Sequence, residues 1–520
     1  MFKKLGKVPL GDLYTDGKVR NRREWRGVQD TFYDYTRWLK NVSVLAKFMT
    51  KPNNIKGFFR YSWMKNYLAV PMMVDRHTQG LRGEQLRICH EEFDLVVEDV
   101  AKLLENLFRG DRNVGNDKEF SDKVVLVDEN EMTAVMMGFP TLKGLSRETP
   151  SAYVSVLLNQ HAAEKYLDIA QSYGLPGDVC PMPEMEVGIS IEDDFPVLGA
   201  CAIQCNTTCD GSLMGNEVLM NKLEGEHGIP CFQLAAPLRH REDDVQEYAA
   251  QEVRNAISFI EEHAGEKWDW KHYFECAKRV NESTRHRQEW LDINKTDYPQ
   301  VFGSNLALYT ETNYMAICGK VEDFVTADRR ITELARKGYE KKNMVVPEYR
   351  HRAIVWGVQS HFYMDFLIWL QNCWGILPLT DMLSMVSTKI IAEEDTPENR
   401  EQAMYDIAWL TENMIMRNRT HGGYKVLLDE LWEFCEQFRA DTVILWEHMS
   451  CKALTGMHGQ FEEKAREKGI HLIWVTHDLF DPRVISRQGV RDQVNLYMRT
   501  VFKEEPLDPS LEVLNDENSW

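Results

Sequence analysis

Cysteine is the residue type in this sequence whose placement suggests chemistry. Eleven cysteines are scattered along 520 residues. Three of them sit in turn-like segments, where a thiolate can reach a metal instead of packing into a core. Cys180 ends the run PGDVC (176–180), behind a glycine helix stop at Gly174. Cys209 lies in QCNTTCDG (204–211) and Cys451 in EHMSC (447–451), each behind an apolar run of strand character. Loops just past the carboxyl ends of strands are where open α/β sheets place their ligand-binding residues. The competing reading of each is a small buried apolar side chain, the commonest fate of a cysteine. That reading is preferred for Cys89, Cys276, Cys318, Cys373 and Cys435, in helical or apolar contexts, and for Cys201, which alternates within a strand. Cys205 stands between the two readings. Spacing alone names no metal. There is no C-x-x-C, H-E-x-x-H, P-loop or G-x-S-x-G, and the regular Cys201, Cys205, Cys209 series misses the ferredoxin runs. Any cluster here must gather its ligands from distant parts of the chain, and a structural zinc would ordinarily take four of them.

The elements that must position these residues follow from apolar patterning. Short apolar runs at 123–127, 196–204, 230–234, 351–358, 376–379, 441–446 and 470–475 read as strands. Helical periodicity is read over 131–138, 151–173, 211–227, 243–263, 270–291, 314–341, 362–375, 397–417, 423–438, 459–468 and 490–502. Strand–helix–strand alternation in two separate blocks implies an α/β fold. Its expected form is two Rossmann- or flavodoxin-like parallel-sheet domains with a helical layer between them and an extra helical N-terminal region. The expected divisions are a helical extension (1–120), a first α/β domain (121–240), a helical connector (241–345), a second α/β domain (346–502) and an acidic, frayed tail (503–520). The polar segment 110–117 reads as a linker.

Composition narrows the function. Lys and Arg number 61 against 81 Asp and Glu, a formal net charge of −20. That excludes broad nucleic-acid binding, which needs a basic surface, but leaves room for an anionic ligand in a local basic pocket. The 43% hydrophobic content is that of a folded globular chain. No signal-like start appears, and the most apolar stretch, 362–379, is interrupted by Asp365, Gln371, Asn372 and Pro378, so no membrane span is expected. The expectation is a cytoplasmic protein with reduced thiols.

From about Lys123 to Val501 the chain resembles the 2-hydroxyacyl-CoA dehydratase and benzoyl-CoA reductase subunits, a family that includes the 2-hydroxyglutaryl-CoA dehydratase D-component. The resemblance rests on an ordered set of segments. These are 174–180; 205–210 with the helix after it and HGIP (227–230); the long helix in 237–265; RADTVI (439–444) through Ser450 and Cys451; and 469–475, HDLFDPR (477–483) and 486–491. It implies a [4Fe–4S] cluster on Cys180, Cys209 and Cys451 with one iron position open. It also implies a homologous second cluster-bearing subunit, an ATP-hydrolysing activator that delivers a low-potential electron, and an acyl-CoA substrate. The implied reaction is a ketyl-radical elimination of water from a 2-hydroxyacyl-CoA. In the reductase branch an aromatic acyl-CoA ring is reduced instead. A third reading is a non-catalytic electron-relay or structural subunit.

The resemblance further places Glu131 near the substrate, against the alternative of a first-turn acid favouring a helix dipole. His448 could donate to a cluster sulfur or a substrate oxygen, against a solvated loop histidine. Asp478, Asp481 and Arg483 could line the site or form a salt-bridged loop. Arg239, His240 and Arg241 could meet CoA phosphates or lie in a solvated loop. One departure stands out. The dehydratase branch carries a serine pair where this chain has Val124 to Val127, which points to an altered substrate.

Overall fold

A computed structural model of the chain describes residues 27–513 except 128–133, 152–153, 155, 206–208, 236–241, 303–321, 347, 383–388 and 413–423. The N-terminal part is helical, with α1 (Val28–Met49), α2 (Pro52–Arg60), α3 (Val70–Thr78) and α4 (Gly83–Gly110). In α4 the apolar positions Leu86, Phe93, Val97, Val100, Leu104 and Leu107 recur at helical spacing and are all buried. The segment read as a linker is tied down at its start. Asp111 is fully buried, accepting from the Val197 N–H (2.8 Å) and the Tyr61 hydroxyl (2.9 Å).

Two parallel sheets follow. The first contains β1 (Val124–Val127) and β2 (Lys143–Ser146), then α5 (Glu164–Tyr173), α6 (Pro181–Ile191), β3 (Cys201–Cys205), α7 (Asp210–Met220) and β4 (Cys231–Leu234). Its strand order is β2-β1-β3-β4. The helices α8 (Asp243–Ala264), α9 (Trp270–Asn294) and α10 (Glu322–Glu340) come next. The second sheet has β5 (His351–Trp356), α11 (Phe366–Trp374), β6 (Ile376–Asp381), α12 (Pro397–Glu412), α13 (Tyr424–Gln437) and β7 (Thr442–His448). After β7 come the single turn α14 (Lys452–Thr455), α15 (His458–Lys468), β8 (His471–His477) and α16 (Arg487–Tyr497). Its order, β6-β5-β7-β8, repeats that of the first sheet. Parallel strands are covered on both faces, which is why β1, β3 and β6 are buried at every position. In each sheet the chain turns one way out of the first strand and the other way into the third. The switch points lie between β1 and β3 and between β5 and β7, where such sheets bind ligands. One continuous apolar core joins the N-terminal helices to both sheets. Among the described residues no helix is long and apolar enough to cross a membrane.

Two elements, β2 and α6, were not expected from the sequence, and four expected segments take another form. The helix expected over 151–173 is broken, because Asn159 Oδ1 takes the His161 N–H (3.1 Å) and turns precede α5. Of the helix expected over 131–138, the described residues 134–138 form a 3₁₀ turn and a bend of chain after it. The strand expected from 196 starts at Cys201, since Pro196 has no amide to pair and Gly199 sits at φ +117°. The first part of the tail is docked, not frayed. Leu511 is buried, and its carbonyl accepts from Trp369 Nε1 (2.9 Å) and the Arg491 guanidinium (2.8 Å).

Candidate metal centre

Each of the three cysteines caps the N-terminus of a helix. Cys180 precedes α6, which begins with Pro181 in the first turn, where the missing amide costs nothing. The Cys209 sulfur caps α7 by accepting the Ser212 N–H at 3.4 Å. Cys451 precedes α14, and its own N–H donates to the His448 carbonyl at 2.9 Å. Amides of Met182, of Gly211 and Ser212, and of Ala453 and Leu454 face the respective thiols. Free N–H groups and the positive end of the helix dipole favour negative charge on sulfur.

Close backbone packing brings the first two together. A Cβ on Gly188 of α6 would lie 2.0 Å from the Tyr166 carbonyl oxygen, so α5 and α6 cross backbone to backbone. A Cβ on Gly211 would lie 3.1 Å from the Cys180 nitrogen, and one on Gly215 would lie 3.1 Å from the Pro183 Cβ. These two glycines let the start of α6 settle against α7. Cys451 arrives from the second sheet. It follows β7 as Cys209 follows β3, so the two occupy equivalent places beyond the switch points of the two sheets.

The thiols lie within electrostatic reach of one another. Burial pushes Cys180 well above the ordinary thiol range, with Cys209 and Cys451 adding to it. Burial also raises Cys209, and pushes Cys451 up to about 11, with Cys209 contributing. Three half-buried thiols that oppose each other's ionisation become thiolates when a cationic group joins them, releasing protons as it binds. The three sulfurs do not all lie within 4.8 Å of one another, as donors to a single ion would. Among the described residues Asp193, Glu226 and His227 do, and there Lys222 Nζ already pairs with Asp193 (2.9 Å) and Glu226 (3.0 Å). An all-sulfur, three-point donor set with amides behind each sulfur is soft-ligand chemistry of the kind that iron–sulfur groups use.

The surroundings are acidic and protonatable. Asp478, just past β8, accepts from the amides of Phe480 (2.9 Å) and Asp481 (2.8 Å). Burial nonetheless pushes its carboxyl up to about 6. Glu184, one turn beyond Cys180 on α6, is pushed up to about 7 by burial, with Asp478, Asp481 and Asp178 adding to it. Its Oε2 is held by the Gln171 amide at 3.4 Å. His448 is not a solvated loop residue. It ends β7, is 2% exposed and stands opposite His477 of β8. Burial, then the neighbouring His477, hold it down to about 3, so it is neutral. Its Nδ1 is 3.9 Å from Asp478 Oδ2, beyond hydrogen-bond reach. His477 is likewise buried and neutral, its Nδ1–H donating to the Asp478 carbonyl (2.7 Å).

Of the other sequence candidates, Asp478 lies within electrostatic reach of Cys180, whereas Arg483 forms a salt-bridged loop. Its guanidinium pairs with Asp481 (2.7 Å) and with Asp168 of α5 (3.0 Å). Glu131 and Arg239, His240 and Arg241 lie outside the described residues, as does Cys318. Cys205 is the last residue of β3 and belongs to the core. Glu184 was missed by sequence reasoning. Its signal was the helix-start proline at 181, which puts position 184 one turn from Cys180.

The family model for 2-hydroxyglutaryl-CoA dehydratase, D-component, matches residues 132–498, a span that holds all three cysteines. The alpha subunit of lactoyl-CoA dehydratase from Anaerotignum propionicum is 23% identical over 384 residues, covering 67% of this chain and 84% of that protein.

Proposed function

Since the chain belongs to the 2-hydroxyglutaryl-CoA dehydratase D-component family, we propose that it is a cluster-bearing subunit of a 2-hydroxyacyl-CoA dehydratase. The observation that carries the proposal is that Cys180, Cys209 and Cys451, each preceding a helix, lie within electrostatic reach of one another inside the family-matched region. These residues would hold a [4Fe–4S] cluster, which when bound supplies a one-electron carrier and an iron position open to an oxygen ligand.

The chain's own groups take the other roles. The capping amides stabilise the thiolates. Asp478 and Glu184, with pKa values near neutrality, hold protons at the edge of the thiol group. His448 and His477, both neutral, pack ring to ring with Trp446 in a buried group at the ends of β7 and β8, next to the loop that carries Cys451. The proposed reaction is a radical elimination. An electron added to the thioester carbonyl gives a ketyl, which expels the 2-hydroxyl as water with a proton from an acid. The β-proton then becomes acidic and leaves to a base, and the electron is returned. Glu131 is proposed to lie near the substrate, on its resemblance to the family position. A homologous partner subunit and an ATP-hydrolysing activator complete the proposed system.

The test combines the chain with its partner subunit, activator and ATP under anaerobic conditions, and follows enoyl-CoA formation from short 2-hydroxyacyl-CoA esters. Dehydration is expected. A cluster-loaded complex that leaves every 2-hydroxyacyl-CoA intact yet reduces benzoyl-CoA would replace this reading with the reductase one. The serine-free β1 strand makes that arm worth running, since all four of its side chains are buried and apolar.

A further inference from the structure

Cys180 and Cys209 belong to the first sheet unit and Cys451 to the second, so something must hold the third thiol in register with the other two. α14 is a single turn without a side-chain cap, which gives the Cys451 loop little rigidity of its own. The residue after Cys451 reaches across. Lys452 Nζ lies 2.9 Å from Asp210 Oδ2 and 3.4 Å from Asp178 Oδ2. Asp210 adjoins Cys209, and Asp178 stands two residues before Cys180. One ammonium thus touches a residue within two positions of each of the other cysteines, from the opposite half of the molecule.

We propose that Lys452 is a positioning residue. Its paired contacts to Asp178 and Asp210 clasp the Cys451 loop against the other two and set the spacing of the three thiols. This inference rests on reading those thiols as cluster ligands. An isolated surface ion pair does little for global stability, and Lys452 is 54% exposed, so the clasp acts on the loop and not on the fold. Two acids shared by one lysine form a small network at the site, where even a modest bias of loop position governs how long a three-point ligand set holds its group. Exposure also makes the clasp sensitive to salt.

The experiment follows iron release to a chelator from anaerobically reconstituted protein, at low and high salt. At low salt Lys452→Ala is expected to release iron roughly threefold to fivefold faster than the wild type, with Lys452→Arg close to wild type. At high salt the wild type speeds up and the gap closes. The double variant Asp178→Asn/Asp210→Asn is expected to match Lys452→Ala, and combining all three adds nothing further. Melting of the metal-free forms stays together, because all three residues are exposed. Equal release rates for wild type and Lys452→Ala at low salt, or additive effects in the triple variant, overturn the clasp and leave the cluster reading standing. A wild-type chain that takes up no iron and sulfide overturns the cluster reading instead.

Discussion

At the scale of single residues, the site is defined by what surrounds three sulfurs. The constraint that touches a cysteine directly is Gly211, whose missing Cβ leaves room for the Cys180 backbone. Gly211→Ala adds a methyl 3.1 Å from the Cys180 backbone nitrogen while improving helix propensity in the first turn of α7. Its expected outcome is less bound iron after reconstitution, with no fall in the melting temperature of the metal-free chain. Asp478 offers a second test. Its folded pKa of about 6 lies above the ordinary carboxylate value, so protonation favours the fold. The stability this contributes is complete below about pH 4 and is lost as pH rises through 6. Asp478→Asn keeps the acceptor for the Phe480 and Asp481 amides and cannot ionise. The metal-free variant should match the wild type near pH 4, then gain on it up to pH 6, reaching about 3 kcal/mol and staying level above that. Denaturant midpoints across this range measure the gap.

At the scale of elements, the strands were the most legible part of the sequence. Runs such as 123–127 and 441–446 are apolar because both faces of a parallel sheet are covered, so continuous hydrophobicity marks them directly. Their ends were not legible. β7 and β8 each run two residues beyond the apolar stretch, to His448 and His477, and it is this extension that buries both imidazoles. α6 escaped notice because a Cys-Pro-Met-Pro start resembles a turn, and only the packing of Gly188 on Tyr166 shows why a helix belongs there. Within the site, no spacing rule links Cys180, Cys209 and Cys451. Their association was legible only as an ordered family pattern, since convergence is a property of two sheets meeting. Glu184 was missed with its helix, because the second proline, Pro183, masks the helix-start signal of Pro181. The docked tail gives an element-scale prediction. Leu511 is 3% exposed against α11 and α16, so Leu511→Ala should cost about 2–4 kcal/mol in chemical denaturation without changing iron content.

At the scale of the whole molecule, two sheets of the same strand order bring equivalent loops, after β3 and after β7, together through the Lys452–Asp210 pair and the neighbouring thiols. Cys180, from the helix-to-helix turn before α6, completes the three. A group bound there bridges both halves and binds the folded chain alone, so removing it should destabilise the entire protein. Anaerobic chelation is expected to lower the melting temperature in one cooperative transition. Loss of structure confined to one sheet unit would contradict that coupling.

The most direct measurement of the central claim is the iron and acid-labile sulfide content of the anaerobically reconstituted chain, compared with Cys180→Ala, Cys209→Ala, Cys451→Ala and the core variant Cys205→Ala. The account predicts equal iron and sulfide, roughly four of each per wild-type chain, unchanged in Cys205→Ala and lost in each of the other three. A folded wild-type chain that binds neither, or one whose content survives replacement of Cys180, Cys209 or Cys451, would contradict it.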